Sequence, residues 1–128
     1  MKRILFIVMA VVLTTSAIAL AGDEAKKPAA APTTLTGEVL DLYCYMEHPE
    51  SATGAEHAKC AQGCISKGLP IGFMAADGTV YLIIGKEHES ASTAVAAFVG
   101  KKSTITGYVK ESKGMKAIEL VSIADAKS

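Results

Sequence analysis

The chain has 128 residues, half of them hydrophobic, and 13 Lys and Arg balance 13 Asp and Glu, so its formal net charge is zero. That balance, with aromatics at 5%, argues against a basic surface that stacks nucleic-acid bases. The three cysteines are an odd number and cannot all pair within one chain.

Met1-Lys2-Arg3 precede an apolar run over 4–13 and small residues ending Ala19-Leu20-Ala21. A basic start, an apolar middle and an Ala-x-Ala end predict a signal peptide over 1–21, cleaved after Ala21. The apolar run is short for a spanning helix, and Thr14, Thr15 and Ser16 follow it, so a retained anchor is the weaker reading. No stable membrane insertion is expected after cleavage. No cysteine follows Ala21, which argues against a lipoprotein. The expected location is periplasmic or secreted, an oxidising compartment. Removing 21 of 128 residues leaves 107, one domain's worth. Residues 22–34 are rich in Ala, Pro and Lys without an apolar period, and read as a flexible tether. The folded domain is expected over 35–125, a size at which a metal or disulfide helps a marginal core.

The β-rich run 35–45 predicts a long first strand ending at Tyr45. Pro49 and residues 51–54 break it. Thr53 with Glu56 forms a capping-box pattern, and Gly68 before Pro70 is a stop signal, so a helix is expected at about 54–67. Residues 69–75 and 79–84 read as two strands joined by an Asp77-Gly78 turn. A second short helix is expected over 91–99, with Ala94, Val95, Phe98 and Val99 inward and Gly100 ending it. Residues 103–111 and 115–123 alternate as two further strands around a Lys113-Gly114 turn. The expected fold is mainly β with two helices. It is a small five-stranded barrel, antiparallel, of the oligonucleotide/oligosaccharide-binding (OB) type, with a helical insert at about 46–68 between strands 1 and 2. Gly37 and Gly107 inside strands suit the bends of such a barrel. An open antiparallel sheet with two packed helices is the alternative.

The chemistry lies in His57-Ala-Lys-Cys60-Ala-Gln-Gly-Cys64, with Cys44 upstream. On one helix, at about 100° per residue, His57, Cys60 and Cys64 fall at roughly 0°, 300° and 340°, a single face. If the end of the first strand packs beside this helix, three thiols and an imidazole converge. Cys₃His is a structural zinc set, and thiolates also suit Cu(I). One geometric objection stands: His57 and Cys64 are roughly 10 Å apart along the axis. The bet therefore falls on Cys44, Cys60 and Cys64, with His57 as fourth ligand and Met46, His48 or His88 as its substitutes. A Met ligand would favour copper. The rival reading is a disulfide from Cys44 to Cys60 or Cys64 that staples the insert to an interaction module without metal. Thiol–disulfide exchange ranks third, because Cys60 is mid-helix and Cys64 near the helix end, away from the N-terminal dipole that lowers a thiol pKa. No Cys-x-x-Cys-His haem motif, Ser-His-Asp order, paired carboxylates or phosphate loop is present, so no enzyme is expected.

The pattern Gly37-x-Val39-x-Asp41-x-x-Cys44-Tyr45-Met46, His57-x-x-Cys60-Ala61-x-x-Cys64-x-x-x-Gly68-x-Pro70-x-Gly72, then Asp77-Gly78-x-Val80-Tyr81, resembles a group of uncharacterised small exported bacterial proteins. The resemblance spans most of 36–123. It implies that the cluster is the working site, without implying a metal or an activity. The barrel part more loosely resembles exported bacterial OB barrels, which are usually binding or stress-related modules. The expected function is an exported protein holding Zn²⁺ or Cu(I) for storage, delivery or sensing. Its expected partners are the metal ion and another periplasmic protein, not nucleic acid.

Overall fold

A computed structural model describes residues 30–127. The signal peptide expected over 1–21 and most of the expected tether lie outside the described residues. Strand β1 (Thr33–Asp41) begins two residues inside that tether, and Thr34 hydrogen-bonds Thr106 side chain to side chain at 3.0 Å. No helix among the described residues is long and apolar enough to cross a membrane.

The remaining strands are β2 (Ile71–Ala75), β3 (Val80–Ile84), β4 (Lys102–Ser112) and β5 (Met115–Asp125). They close in a ring in the order β1-β2-β3-β5-β4, a five-stranded barrel of the expected topology. The pairing differs from a uniformly antiparallel one in a single place. β3 and β5 run parallel, because the chain crosses the barrel between β3 and β4 instead of turning back directly. The other four pairs are antiparallel.

β1 joins both halves of the barrel. Its first part pairs with β4 and its last part with β2, with 37 and 38 shared. Such a strand must bend, and Gly37 sits at the bend: a Cβ there would collide with the Met74 carbonyl of β2. Gly107 does the same for β4, beside a register shift at Thr106/Gly107 where a Cβ would strike the Glu119 carbonyl. Both glycines serve the bends expected of them.

Positions 35, 39 and 41 of β1 share one face, opposite Ile105, Phe73 and Ile71 in the register. Val39, Ile71, Phe73, Ile105 and Ile118 form the buried core there. Helix α2 (Gly54–Ser66) lies where the long helix was expected and adds Ala61 and Ile65, one turn apart, to the same core. A short helix α3 (Ser92–Val95), followed by a 3-10 turn (Ala96–Phe98), contributes Ala91, Val95 and Val99. Of the inward set expected in this segment, Ala94 is exposed and Ala91 takes its place. The α-to-3-10 change shifts the phase, so the segment does not keep one regular helical stripe. Gly100 takes a left-handed φ of 72°, and a Cβ there would strike Ala58 and the Gly54 carbonyl, so the segment packs closely against the start of α2.

Two local readings are corrected. The first strand stops at Asp41 instead of Tyr45, and a six-residue helix α1 (Leu42–Glu47) follows. The capping box at Thr53 is also not made, since Thr53 makes no side-chain cap. Gly54 takes φ 76°, which turns the chain away from the geometry that box requires. Its amide donates instead to the Glu38 carboxylate of β1, an acid placed favourably at a helix N-terminus.

Candidate metal centre

The centre is built from the end of β1, all of α1 and one flank of α2. Asp41 ends β1 on its interior face, and it is fully buried. It is also the N-cap of α1, with its Oδ1 accepting the Tyr43 amide at 3.0 Å. Cys44 is the third helical residue after this cap, so it stands over Asp41 on the same side of α1. The Leu42 amide donates to the Pro70 carbonyl at 3.0 Å, and the Leu42 side chain fills the space that a Cβ on Gly72 would need. Those contacts fix α1 against the chain leaving α2, and so fix Cys44 beside Cys64.

On α2 the core stripe runs through Ala61 and Ile65. His57, Cys60 and Cys64 lie at one edge of that stripe, and their burial follows their angle from it. His57 and Cys64 are half-buried, while Cys60, farthest round the helix, is exposed. Cys44, His57, Cys60 and Cys64 thus form a Cys/His cluster positioned to bind a metal ion.

The ligand atoms of the cluster fall into two overlapping groups. Cys44, His57 and Cys60 present ligand atoms all within 4.8 Å of one another, and so do Asp41, Cys44 and Cys64. No such group contains both His57 and Cys64, nor both Cys60 and Cys64. The helical rise explains this: two turns separate His57 from Cys64, and Cys44 approaches between them. Cys44 belongs to both groups.

The polar atoms around the centre are under-satisfied. Asp41 Oδ2 and His57 Nε2 are buried without a hydrogen-bond partner of normal geometry. Cys44 and Cys64 both face Asp41. The Cys44 thiol is pushed up from 9.0 to about 12, first by hydrogen bonding to Asp41, then by burial and by the carboxylate charge. The Cys64 thiol is raised by the same causes in the same order. Metal-free, these two sulfurs hold their protons at neutral pH. A cation replacing those protons would satisfy the carboxylate and both thiolates together.

All three cysteines are free thiols, so the disulfide of the rival reading is not formed. Raised thiol pKa values also weaken the exchange reading, because the thiolate is the attacking species. The substitute ligands stand apart. Met46 is 77% exposed and lies about 200° round α1 from Cys44. His48, the C-cap of α1, is exposed and joins neither group among the described residues. His88 lies after β3 and lines a separate groove with Leu82, Ile84 and Lys110.

Asp41 is the site residue that sequence reasoning missed. The sequence reading runs the strand through to Tyr45, and only the start of α1 at Leu42 makes Asp41 an N-cap standing beside Cys44.

Comparison with protein-family models, curated proteins and solved structures gives no match for this chain.

Proposed function

We propose that this protein is an exported metal-binding protein. It holds Zn²⁺ or Cu(I) through Cys44, His57, Cys60 and Cys64, for storage, delivery or sensing. The observation that carries this reading is the meeting of Cys44 with His57 and Cys60 within 4.8 Å, across two consecutive helices. Three free thiols support it. The orphaned His57 Nε2 supports it further, since a buried imidazole nitrogen without a partner is ready to ligate. The Asp41 carboxylate beside Cys44 is a hard oxygen donor and favours Zn²⁺ over Cu(I). Another periplasmic protein would be the source or the recipient of the metal.

The disulfide module remains a second reading on one observation: Cys44 lies within 4.8 Å of both Cys60 and Cys64. Purification from the periplasm distinguishes the two. Elemental analysis should find metal bound to the wild type and a large loss in Cys60→Ser. After chelation and denaturation, intact mass should show three alkylated cysteines. Metal-free protein with one alkylated cysteine would decide for the disulfide.

A further inference from the structure

The four-ligand reading leaves three facts unexplained. His57 and Cys64 never share a ligand group, Cys44 is in both groups, and a fully buried carboxylate faces the cluster's thiols with no hydrogen-bond partner of normal geometry at Oδ2. Burying an ionised carboxylate is costly unless a positive charge meets it. Among the described residues neither ion pair involves Asp41: these are Lys86 with Glu87 and Lys110 with Glu119. The end of β1 places Asp41 inside the barrel mouth, and the first turn of α1 sets Cys44 above it. The last turns of α2 bring Cys64 to the same point.

We infer that the centre holds two metal ions bridged by the Cys44 sulfur: one bound by Cys44, His57 and Cys60, the other by Asp41, Cys44 and Cys64. The inference rests on the metal-binding reading above and extends it with a second position and a new ligand, Asp41. Each ion has three protein ligands, leaving an open place in a tetrahedral shell. Charge agrees with two divalent ions. Three thiolates and one carboxylate carry four negative charges, and His57 binds neutral, so two Zn²⁺ ions balance the set. A single Zn²⁺ held by Cys44, His57 and Cys60 would be neutralised by those two thiolates and leave the buried Asp41 carboxylate without a cation. The oxygen donor and the charge count both point to a divalent borderline metal, Zn²⁺ or its analogue Cd²⁺.

Metal counting on the chain lacking residues 1–21 tests this. The reduced, metal-free protein is titrated with Zn²⁺, and ions per chain are counted by native mass spectrometry. A parallel Cd²⁺ titration is followed by thiolate-to-metal absorption and cadmium NMR. The wild type should take two ions and give two cadmium resonances. Asp41→Asn, which keeps the N-cap acceptor, should take one, and Cys64→Ser should independently take one. His57→Ala should lose the other ion, and Cys44→Ser both. One ion per wild-type chain overturns the second position while the metal-binding reading stands. Two ions that persist in both Asp41→Asn and Cys64→Ser overturn it as well. No bound ion at all overturns both readings.

Discussion

Asp41 shows how one residue can serve fold and site together. One carboxylate oxygen caps α1, and the other faces two thiols without a partner of normal geometry. In the metal-free protein this makes the cysteines unequal. Cys60 is exposed and should be alkylated first by iodoacetamide at mildly alkaline pH, with Cys44 the slowest, as read by peptide mass spectrometry. Asp41→Asn removes the carboxylate charge and should speed Cys44 alkylation; an unchanged rate would count against the proposed electrostatics. The same shift has a stability consequence whose sign is fixed. Cys44 holds its proton more tightly folded than unfolded, so its contribution is fully present below about 9 and lost as pH rises towards about 12. Metal-free protein should therefore lose stability across that alkaline range, in urea titrations at stepped pH, and Asp41→Asn should flatten the loss. Nothing in residue order alone announced this, because Asp41 is buried by the closed barrel, where it stands opposite Ile71 of β2.

At the level of elements, the strands, their turns and α2 were legible because each repeats a simple period between Gly or Pro signals. Helix α1 was not. Leu42-Tyr-Cys-Tyr continues a run of β-favouring residues, and a six-residue helix has too few turns to show a period. Tertiary contacts decide it: the Asp41 cap, the bond from Leu42 to Pro70, and the seat of Leu42 on Gly72. The cost of reading a strand there was modest for the site, since Cys44 still reaches α2. It hid the adjacency of Asp41 and Cys44, which only a helix start creates. The seating of α2 is equally a site property. Ile65 is 1% exposed in the core, one residue after Cys64. Ile65→Ala should cost about 2–5 kcal/mol in urea unfolding and weaken Zn²⁺ binding, since three of the ligands ride on this helix. Gly107→Ala should destabilise by about 1–3 kcal/mol or more through its collision with β5, yet leave metal affinity of the folded fraction intact. A loss of affinity there would mean that barrel closure and metal site are coupled.

For the whole molecule, the barrel works as a rigid frame. Its first strand delivers Asp41 to one open end, and the helical insert between β1 and β2 lies over that end. The core is small for a free-standing domain, so a bound ion should matter to stability. At free Zn²⁺ about 100-fold above Kd, binding adds about 2.7 kcal/mol. A domain of this size gains about 4–8 °C per kcal/mol, so Tm should rise by roughly 10–20 °C. Chelation should reverse the rise, and Cys44→Ser should show none. The cysteine and histidine spacing pointed to the centre from the sequence, and the axial gap between His57 and Cys64 already stood as an objection to both binding one ion, although a single shell was expected. What the spacing could not supply was the third side of the cluster, contributed by Asp41, which the sequence placed inside a continuous strand and the structure places at its end. The most direct measurement is X-ray absorption at the zinc edge of the Zn²⁺-loaded protein. Sulfur neighbours at about 2.3 Å, with nitrogen or oxygen at about 2.0–2.1 Å, are expected, and no zinc–sulfur signal should remain in Cys44→Ser, which is expected to hold no zinc at the cluster. A shell of nitrogen and oxygen alone, or a sulfur signal unchanged in Cys44→Ser, would contradict a metal centre at this cluster.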